Sequence, residues 1–214
     1  MFESPRETVP EAGGAVFVVD DDKSVRKALA RLIRSAGMTA RTFPTAEAFL
    51  AEQQAVAASC LVVDVRLPGL DGLQLQEDLT RAGYPISIII ITGHGDVPMS
   101  VRAMKAGAVD FLQKPFEDSD LLDAIHRAIT RTRDAFARRE TSAQIQRLYG
   151  SLTPRERQVL SLVVTGLPNK QIAAELGAAE KTIKIHRGRV MTKMQAASLV
   201  DLVRMAGVLG IPAH

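Results

Sequence analysis

Tryptophan is absent, aromatic residues make up only 4% of the chain, and there is one cysteine, Cys60. A core built from this sequence must therefore be aliphatic. A lone cysteine cannot form an internal disulfide, which fits a reducing cytosol. Cys60 opens an apolar stretch and reads as a buried, inert thiol. No apolar run reaches the ~18 residues that a membrane-spanning helix needs. The N-terminal stretch carries Glu3, Glu7 and Glu11 and two prolines, which is not the pattern of a secretory signal. Residues 1–14 read instead as a disordered lead-in. The four histidines show no metal-ligand spacing.

What is present is an ordinary globular balance with an uneven charge distribution. The 214 residues are 46% hydrophobic and 24% charged, a length comfortable for two domains. The net charge of +3 conceals an acidic first part, with 12 basic and 18 acidic residues over 1–125. Residues 126–150 carry 6 basic and 2 acidic residues, and 151–214 carry 9 and 4. Two domains with different partners follow from that asymmetry.

Leu61-Val62-Val63-Asp64 organises the first part. The valine-rich run reads as a strand buried on both faces that delivers one carboxylate at its C-terminal end, before Pro68-Gly69 breaks the chain. Similar short strands are expected at Ala15–Val19, Thr39–Phe43, Ile86–Ile91 and Val109–Gln113. Helical spacing occupies the intervals: 24–36, 45–52, 71–82 and 98–106, with a long helix from about Glu117. Five strands alternating with five helices predict an α/β fold, a five-stranded doubly wound parallel sheet. The arginine-rich stretch 127–146 has neither proline nor glycine and reads as a stiff helical connector.

Four strand ends deliver polar groups to one edge: Asp20 and Asp21, Asp64, Thr92 and Lys114. Ligands of open α/β sheets bind at that edge. Clustered carboxylates repel unless a cation joins them, and an oxygen-only donor set suits Mg²⁺. Lys114 adds fixed positive charge and Thr92 a hydroxyl, a combination suited to clamping a transferring phosphoryl group. Asp64 would then be the nucleophile. Taken alone, Asp20–Asp22 could simply cap the following helix, and Lys114 could be a solvated surface lysine. Their co-occurrence at successive strand ends favours a site.

These residues also carry a resemblance. Asp20-Asp21, Val63-Asp64 followed by Arg66-Leu67-Pro68-Gly69, Ile91-Thr92-Gly93 and Lys114-Pro115-Phe116 are similar to the receiver domain of two-component response regulators, over about 15–130. The resemblance implies a flavodoxin-like receiver in which Asp64 accepts phosphate from a sensor histidine kinase. It implies that Asp20, Asp21, Asp64 and the Arg66 carbonyl hold Mg²⁺, and that Thr92 and Lys114 bond the phosphoryl oxygens. Phe111 would be the switch aromatic, and the Lys114–Pro115 bond would be cis. A metal-dependent phosphatase of the haloacid-dehalogenase type is the competing chemistry. It needs a second aspartate two residues after the nucleophile as general acid, and Arg66 stands there. The chain reads as a phosphoacceptor and not as an enzyme.

A second domain opens at Leu152-Thr153-Pro154-Arg155-Glu156, where Thr153, Pro154 and Glu156 form a strong helix-start signal. Helices are expected over 153–165, 169–176, 180–194 and 198–206, the middle pair with helix-turn-helix spacing. A small all-α four-helix module follows. Leu152–Leu160, Gly166–Ala173 and Thr182–His186 resemble the LuxR-type DNA-binding domain, over about 148–210. By motif position, Lys184 and Ile185 face bases, with Thr182 on the same helix. Lys170, Lys181, His186 and Arg187 would reach phosphates. The division is then a lead-in over 1–14, a receiver over 15–130, a helical linker over 131–150 and a DNA-binding domain over 151–214.

As a whole the chain resembles response regulator transcription factors of the LuxR-type output class. The resemblance implies a cytoplasmic protein whose partners are a sensor histidine kinase and double-stranded promoter DNA. A homodimer on phosphorylation is implied, with RNA polymerase as a further partner and no membrane. The alternative is a phosphorylation-independent DNA binder whose receiver serves only as a dimerisation module. Two departures from the LuxR pattern concern stability. Ala179 stands at the N-cap of the recognition helix, and loss of a capping side chain costs roughly 0.5–2 kcal/mol. Gly188 lies inside the helix, at roughly 1 kcal/mol against alanine. Amide exchange over Glu180–Met191 is therefore expected to be faster without DNA than in the first helix of the same domain, and to slow on DNA binding. Equal protection without DNA would contradict this.

Overall fold

The computed structural model describes residues 14–52, 58–93 and 95–212; the expected disordered lead-in lies outside these, apart from Gly14. Elements follow the order β1 (Ala15–Val19), α1 (Lys23–Ser35), β2 (Thr39–Phe43), α2 (Ala46–Ala51), β3 (Ser59–Asp64), α3 (Gly72–Arg81), β4 (Ser87–Thr92), α4 (Val97–Lys105), β5 (Asp110–Gln113) and α5 (Asp118–Gly150). Four further helices follow among the described residues: α6 (Pro154–Val163), α7 (Asn169–Glu175), α8 (Glu180–Met194) and α9 (Leu199–Val208). The chain forms two compact units, divided between Phe136 and Ala137. The 131–150 stretch read as a linker lies wholly within α5.

In the first unit all strand pairings are parallel, in the order β2-β1-β3-β4-β5. The expected doubly wound sheet is therefore present, and its order reverses at β1 and β3, where such folds bind ligands. The two faces of the sheet carry separate aliphatic layers. Val16, Val18, Val62, Ile89 and Ile91 pack with α1 and α5, whereas Val19, Val63 and Ile90 pack with α2, α3 and α4. β3 and β4 are buried at every position, as an unbroken apolar run requires. Cys60 is fully buried, and burial pushes its thiol pKa up. The apolar stripe on α5 serves both cores, with Ile125 and Ile129 in one and Ile145 in the other.

Gly72 is a position of forced close approach. A Cβ there would collide with the main-chain oxygen of Asp64. The start of α3 is thus pressed against the strand end that carries Asp64, with Gly72 N donating to Val65 O at 3.0 Å.

The second unit has its own core, in which Leu160, Ile172, Ile183, Val190, Met194 and Leu202 are each fully buried. The capping box at Thr153 and Glu156 is formed. It is joined from α8 by Lys193, whose Nζ donates to Glu156 Oε2 at 2.6 Å. The Glu156 side chain is only 2% exposed. The Lys193 hydrogen bond, aided by the Thr153 N–H, holds its carboxyl at a pKa of about 2, against an ordinary value of 4.5. A carboxyl depressed in this way stabilises the fold above its unfolded pKa, and the contribution is lost as pH falls through the folded value. The helical unit should therefore lose stability progressively between about pH 5 and 2 in urea titrations. Lys193→Met, which leaves a buried carboxylate without its cation, should cost about 3 kcal/mol at neutral pH. In the first unit, Gly72→Ala should destabilise by about 1–3 kcal/mol through overpacking, read as a lower urea midpoint.

Candidate phosphoacceptor site and nucleic-acid interface

The five parallel strands bring their C-terminal ends to one edge, and the sequence-predicted polar residues meet there. Asp20 follows β1, Asp64 ends β3, Thr92 ends β4 and Lys114 follows β5. Lys114 is the hub. Its Nζ donates to Asp20 Oδ2 at 2.7 Å and to Asp64 Oδ2 at 2.6 Å. Its main-chain N–H donates to Thr92 O at 2.8 Å, which continues the β4–β5 ladder. The Lys114–Pro115 bond is cis, as the receiver resemblance implied.

Asp20 is fully buried and Asp64 7% exposed, whereas Asp21 faces solvent. The second oxygen of Asp20 accepts from Asp22 N at 2.8 Å, and that of Asp64 from Arg66 N at 3.1 Å. Burial raises the Asp20 pKa, and the Lys114 hydrogen bond opposes but does not cancel that shift. For Lys114, burial acts to lower the pKa, and the hydrogen bonds to Asp20 and Asp64 overcome it and hold the ammonium above its ordinary value of 10.5. Asp22, two residues beyond Asp20, caps α1 by accepting from Ser24 and Val25. The capping role that the sequence left open for this acidic run thus belongs to Asp22, while Asp20 turns into the site.

One carboxylate oxygen from each of Asp20, Asp21 and Asp64 lies within 4.8 Å of the others. A hard, oxygen-preferring divalent ion such as Mg²⁺ fits this donor set, which is part-buried on one side and open at Asp21. Arg66 lies in the loop after β3 with its side chain exposed.

The surroundings of Phe111 in β5 include a residue that the sequence reading missed. A Cβ on Gly95 would lie 2.9 Å from Phe111 Cε1 and 3.0 Å from Thr92 Cγ2. The half-buried Phe111 ring and the Thr92 methyl both close on the place that a side chain at residue 95 would occupy, so glycine there is what lets the two approach the loop. The only trace in the sequence is a glycine three places after Thr92.

In the second unit, α8 has the expected bounds, with Ile183, Val190 and Met194 inward. Lys181, Thr182, Lys184 and Ile185 are exposed, as is Lys170 on α7. Ile185 is 49% exposed, an uncovered apolar side chain between cations. His186 and Arg187 turn partly inward: His186 Nδ1 is buried with no hydrogen-bond partner among the described residues, and Arg187 donates to Asn169 Oδ1 at 3.2 Å. An open cleft of about 650 Å³ runs along Lys184, Ile185, Gly188, Arg189 and Thr192, toward the start of α6. Arg189 was not among the sequence-predicted contacts, although it lies five residues beyond Lys184 and shares the cleft. Ala179 provides no side-chain cap, as its residue type requires. A cationic, uncovered face on the second helix of a helix-turn-helix is suited to a DNA groove.

The shared ammonium at the strand edge can be tested without any phosphodonor. Lys114→Met should destabilise the first unit by about 3 kcal/mol, because two buried carboxylates lose their cation. Millimolar Mg²⁺ should restore much of the loss and EDTA should abolish that rescue, as measured by urea unfolding.

Comparison with known proteins agrees with this geometry. Residues 16–126 match the response regulator receiver domain, and residues 150–206 match the bacterial regulatory proteins of the luxR family. The chain is 54% identical over 199 residues to Nodulation protein W of Bradyrhizobium diazoefficiens, covering 93% of this chain and 88% of that protein. It is 48% identical over 191 residues to the transcriptional regulatory protein FixJ of Rhizobium meliloti, covering 89% and 94%. Among solved structures, the response regulator StyR superposes with a TM-score of 0.82 at 50% identity, covering 91% of this chain and 98% of that one. Full-length FixJ from B. japonicum gives 0.56 at 45% identity, covering 93% and 98%. The chain belongs to the two-component response regulators that join a receiver domain to a luxR-family DNA-binding domain.

Proposed function

We propose that phosphorylation of Asp64 is the event that directs α8 of this transcription regulator onto promoter DNA. The observation that carries the reading is the Lys114 ammonium held between Asp20 and Asp64 at the strand edge. An Asp64 oxygen attacks the phosphorus of a phosphohistidine on a sensor kinase. The O–P bond forms as the N–P bond breaks, and the departing imidazole nitrogen takes a proton from solvent. Asp20, Asp21, Asp64 and the Arg66 carbonyl are the residues that would hold Mg²⁺, which when bound supplies positive charge against the phosphoryl oxygens. Lys114 and the Thr92 hydroxyl bond those oxygens, and the new charge of about −1.5 to −2 draws them inward.

Thr92 moving inward changes what Phe111 packs against, and the face built from α4, β5 and α5 follows. Val97, Val101 and Met104, three to four residues apart on α4, are exposed apolar side chains on that face. They suit the homodimer that we assign to the phosphorylated form. In the second unit, Lys184 and Ile185 are assigned to base edges, with Thr182 beside them. Lys170, Lys181 and Arg189 are assigned to phosphates, and His186 and Arg187 approach the backbone from their half-buried positions. A receiver over 15–130, a linker over 131–150 and a DNA-binding domain over 151–214 remain the division we use. A cytoplasmic location, contact with RNA polymerase and the absence of phosphatase turnover belong to the same reading. Arg66 standing where a general acid would be needed supports the last of these.

The decisive experiment measures oligomeric state and affinity for DNA selected from a random library, with and without acetyl phosphate and Mg²⁺. Wild type should dimerise and bind more tightly with phosphodonor, and Asp64→Asn should not respond. If the two respond alike, Asp64 is not the switch. Gly95→Ala should cut the phosphate-dependent gain in affinity roughly tenfold, about 1.4 kcal/mol, with Asp64 still accepting phosphate. Fluorescence anisotropy reads the first effect and acid-labile phosphate the second.

A further inference from the structure

The two ends of α4 are held unequally. Its C-terminal end is closed by Ala108 N donating to Ala103 O at 3.1 Å and Gly107 N to Met104 O at 3.0 Å. Gly107 has a φ of +94°, so this is a Schellman stop. Three hydrogen bonds between α3 and α4 fasten the same end. Gln76 Nε2 donates to Ala103 O at 2.8 Å, Arg102 Nε donates to Glu77 Oε1 at 2.9 Å, and Thr80 Oγ1 donates to Ala106 O at 3.4 Å. Among the described residues the N-terminal end has less. Its cap, Asp96, accepts from Met99 N at 2.8 Å, and Val97 is 76% exposed. Ala103 is the one buried residue of the helix, and it too lies toward the C-terminal end.

Gln76 is the unusual member of this set. It is 1% exposed, and its Oε1 has no hydrogen-bond partner among the described residues. An unpaired buried acceptor destabilises, and an apolar side chain of similar volume would avoid that cost. Stability alone therefore does not account for an amide at this place. Its donor half does, because it grips a main-chain carbonyl that already belongs to the stop of α4.

We propose that Gln76 is a positioning residue that pins the C-terminal end of α4, so that the helix moves as a lever from its N-terminal end. That end follows the loop carrying Gly95 and so lies next in the chain to Thr92, and through Gly95 it neighbours the Phe111 ring. A shift at Thr92 then becomes a tilt of Val97 and Val101, and the helix does not slide as a whole. The proposal rests on the reading of Asp64, Thr92 and Phe111 given above.

The test uses the full chain with Gln76→Met, which keeps the volume and removes both polar atoms, and Gln76→Leu as a second apolar variant. Both should resist urea at least as well as wild type and should form acyl phosphate on Asp64 to the same extent with acetyl phosphate and Mg²⁺. Amides over 102–108 should exchange at least tenfold faster than in wild type. The dimer fraction without phosphodonor should rise, and the phosphate-dependent gain in dimerisation should fall at least fivefold. Wild-type exchange over 102–108 with an unchanged gain would overturn the proposal. So would lower urea resistance with an unchanged gain, since Gln76 would then be a purely structural residue. If wild type itself gives no phosphate-dependent change, the Asp64 reading fails and the lever with it. Faster exchange over 102–108 in the variants would still establish the pin.

Discussion

Two carboxylates and one ammonium, brought together from three strand ends, are the constraint around which the first unit is arranged. Asp20 and Asp64 are removed from water by the sheet and its flanking helices, and buried like charges can coexist only if a cation joins them. Lys114 is that cation, and it is positioned by the backbone as much as by charge. Its own N–H completes the ladder between β4 and β5, so the ammonium is registered against Thr92 before it reaches either carboxylate. Because every strand is parallel, each crossover returns the chain to the same edge, and successive strand ends accumulate there. The chemistry of the site is in this sense a product of the winding.

This is why so much of the fold and of the site is legible in the sequence. A parallel strand announces itself as an unbroken apolar run, and its last residue is where the polarity changes, so Asp64, Thr92 and Lys114 were marked by the pattern itself. Helix stops were marked by glycines, and Gly37, Gly83, Gly107 and Gly166 all have positive φ. The capping box at Thr153 and the bounds of α8 were equally local and equally legible.

What could not be read depends on meetings between residues far apart in sequence. Nothing near Gln76 foretells that its amide will find the carbonyl of Ala103 on another helix. Nothing near Gly95 shows that a ring from β5 will occupy the space where its side chain would be. Nothing near Lys193 in sequence shows that α8 will pack against α6 and set its ammonium on Glu156. Arg187 and His186 shared the basic stretch with Lys184, and only the rotation of α8 about its own axis distinguished the half-buried pair from the exposed residues. Periodicity predicts which face of a helix is apolar, but it does not predict which polar residues lie at the border of that face.

The outward face of α8 has a consequence for how such a regulator can diversify. Lys184, Ile185, Gly188 and Arg189 contribute no side chain to the core formed by Ile183, Val190 and Met194. The residues that hold the helix in place and the residues that would read a sequence occupy separate sectors of the same fifteen-residue helix. Substitution in one sector leaves the other untouched, so the reading surface can be rewritten by single codon changes with little penalty in folding. A duplicated copy of this chain could acquire a new set of target sites while keeping its scaffold and its input domain intact.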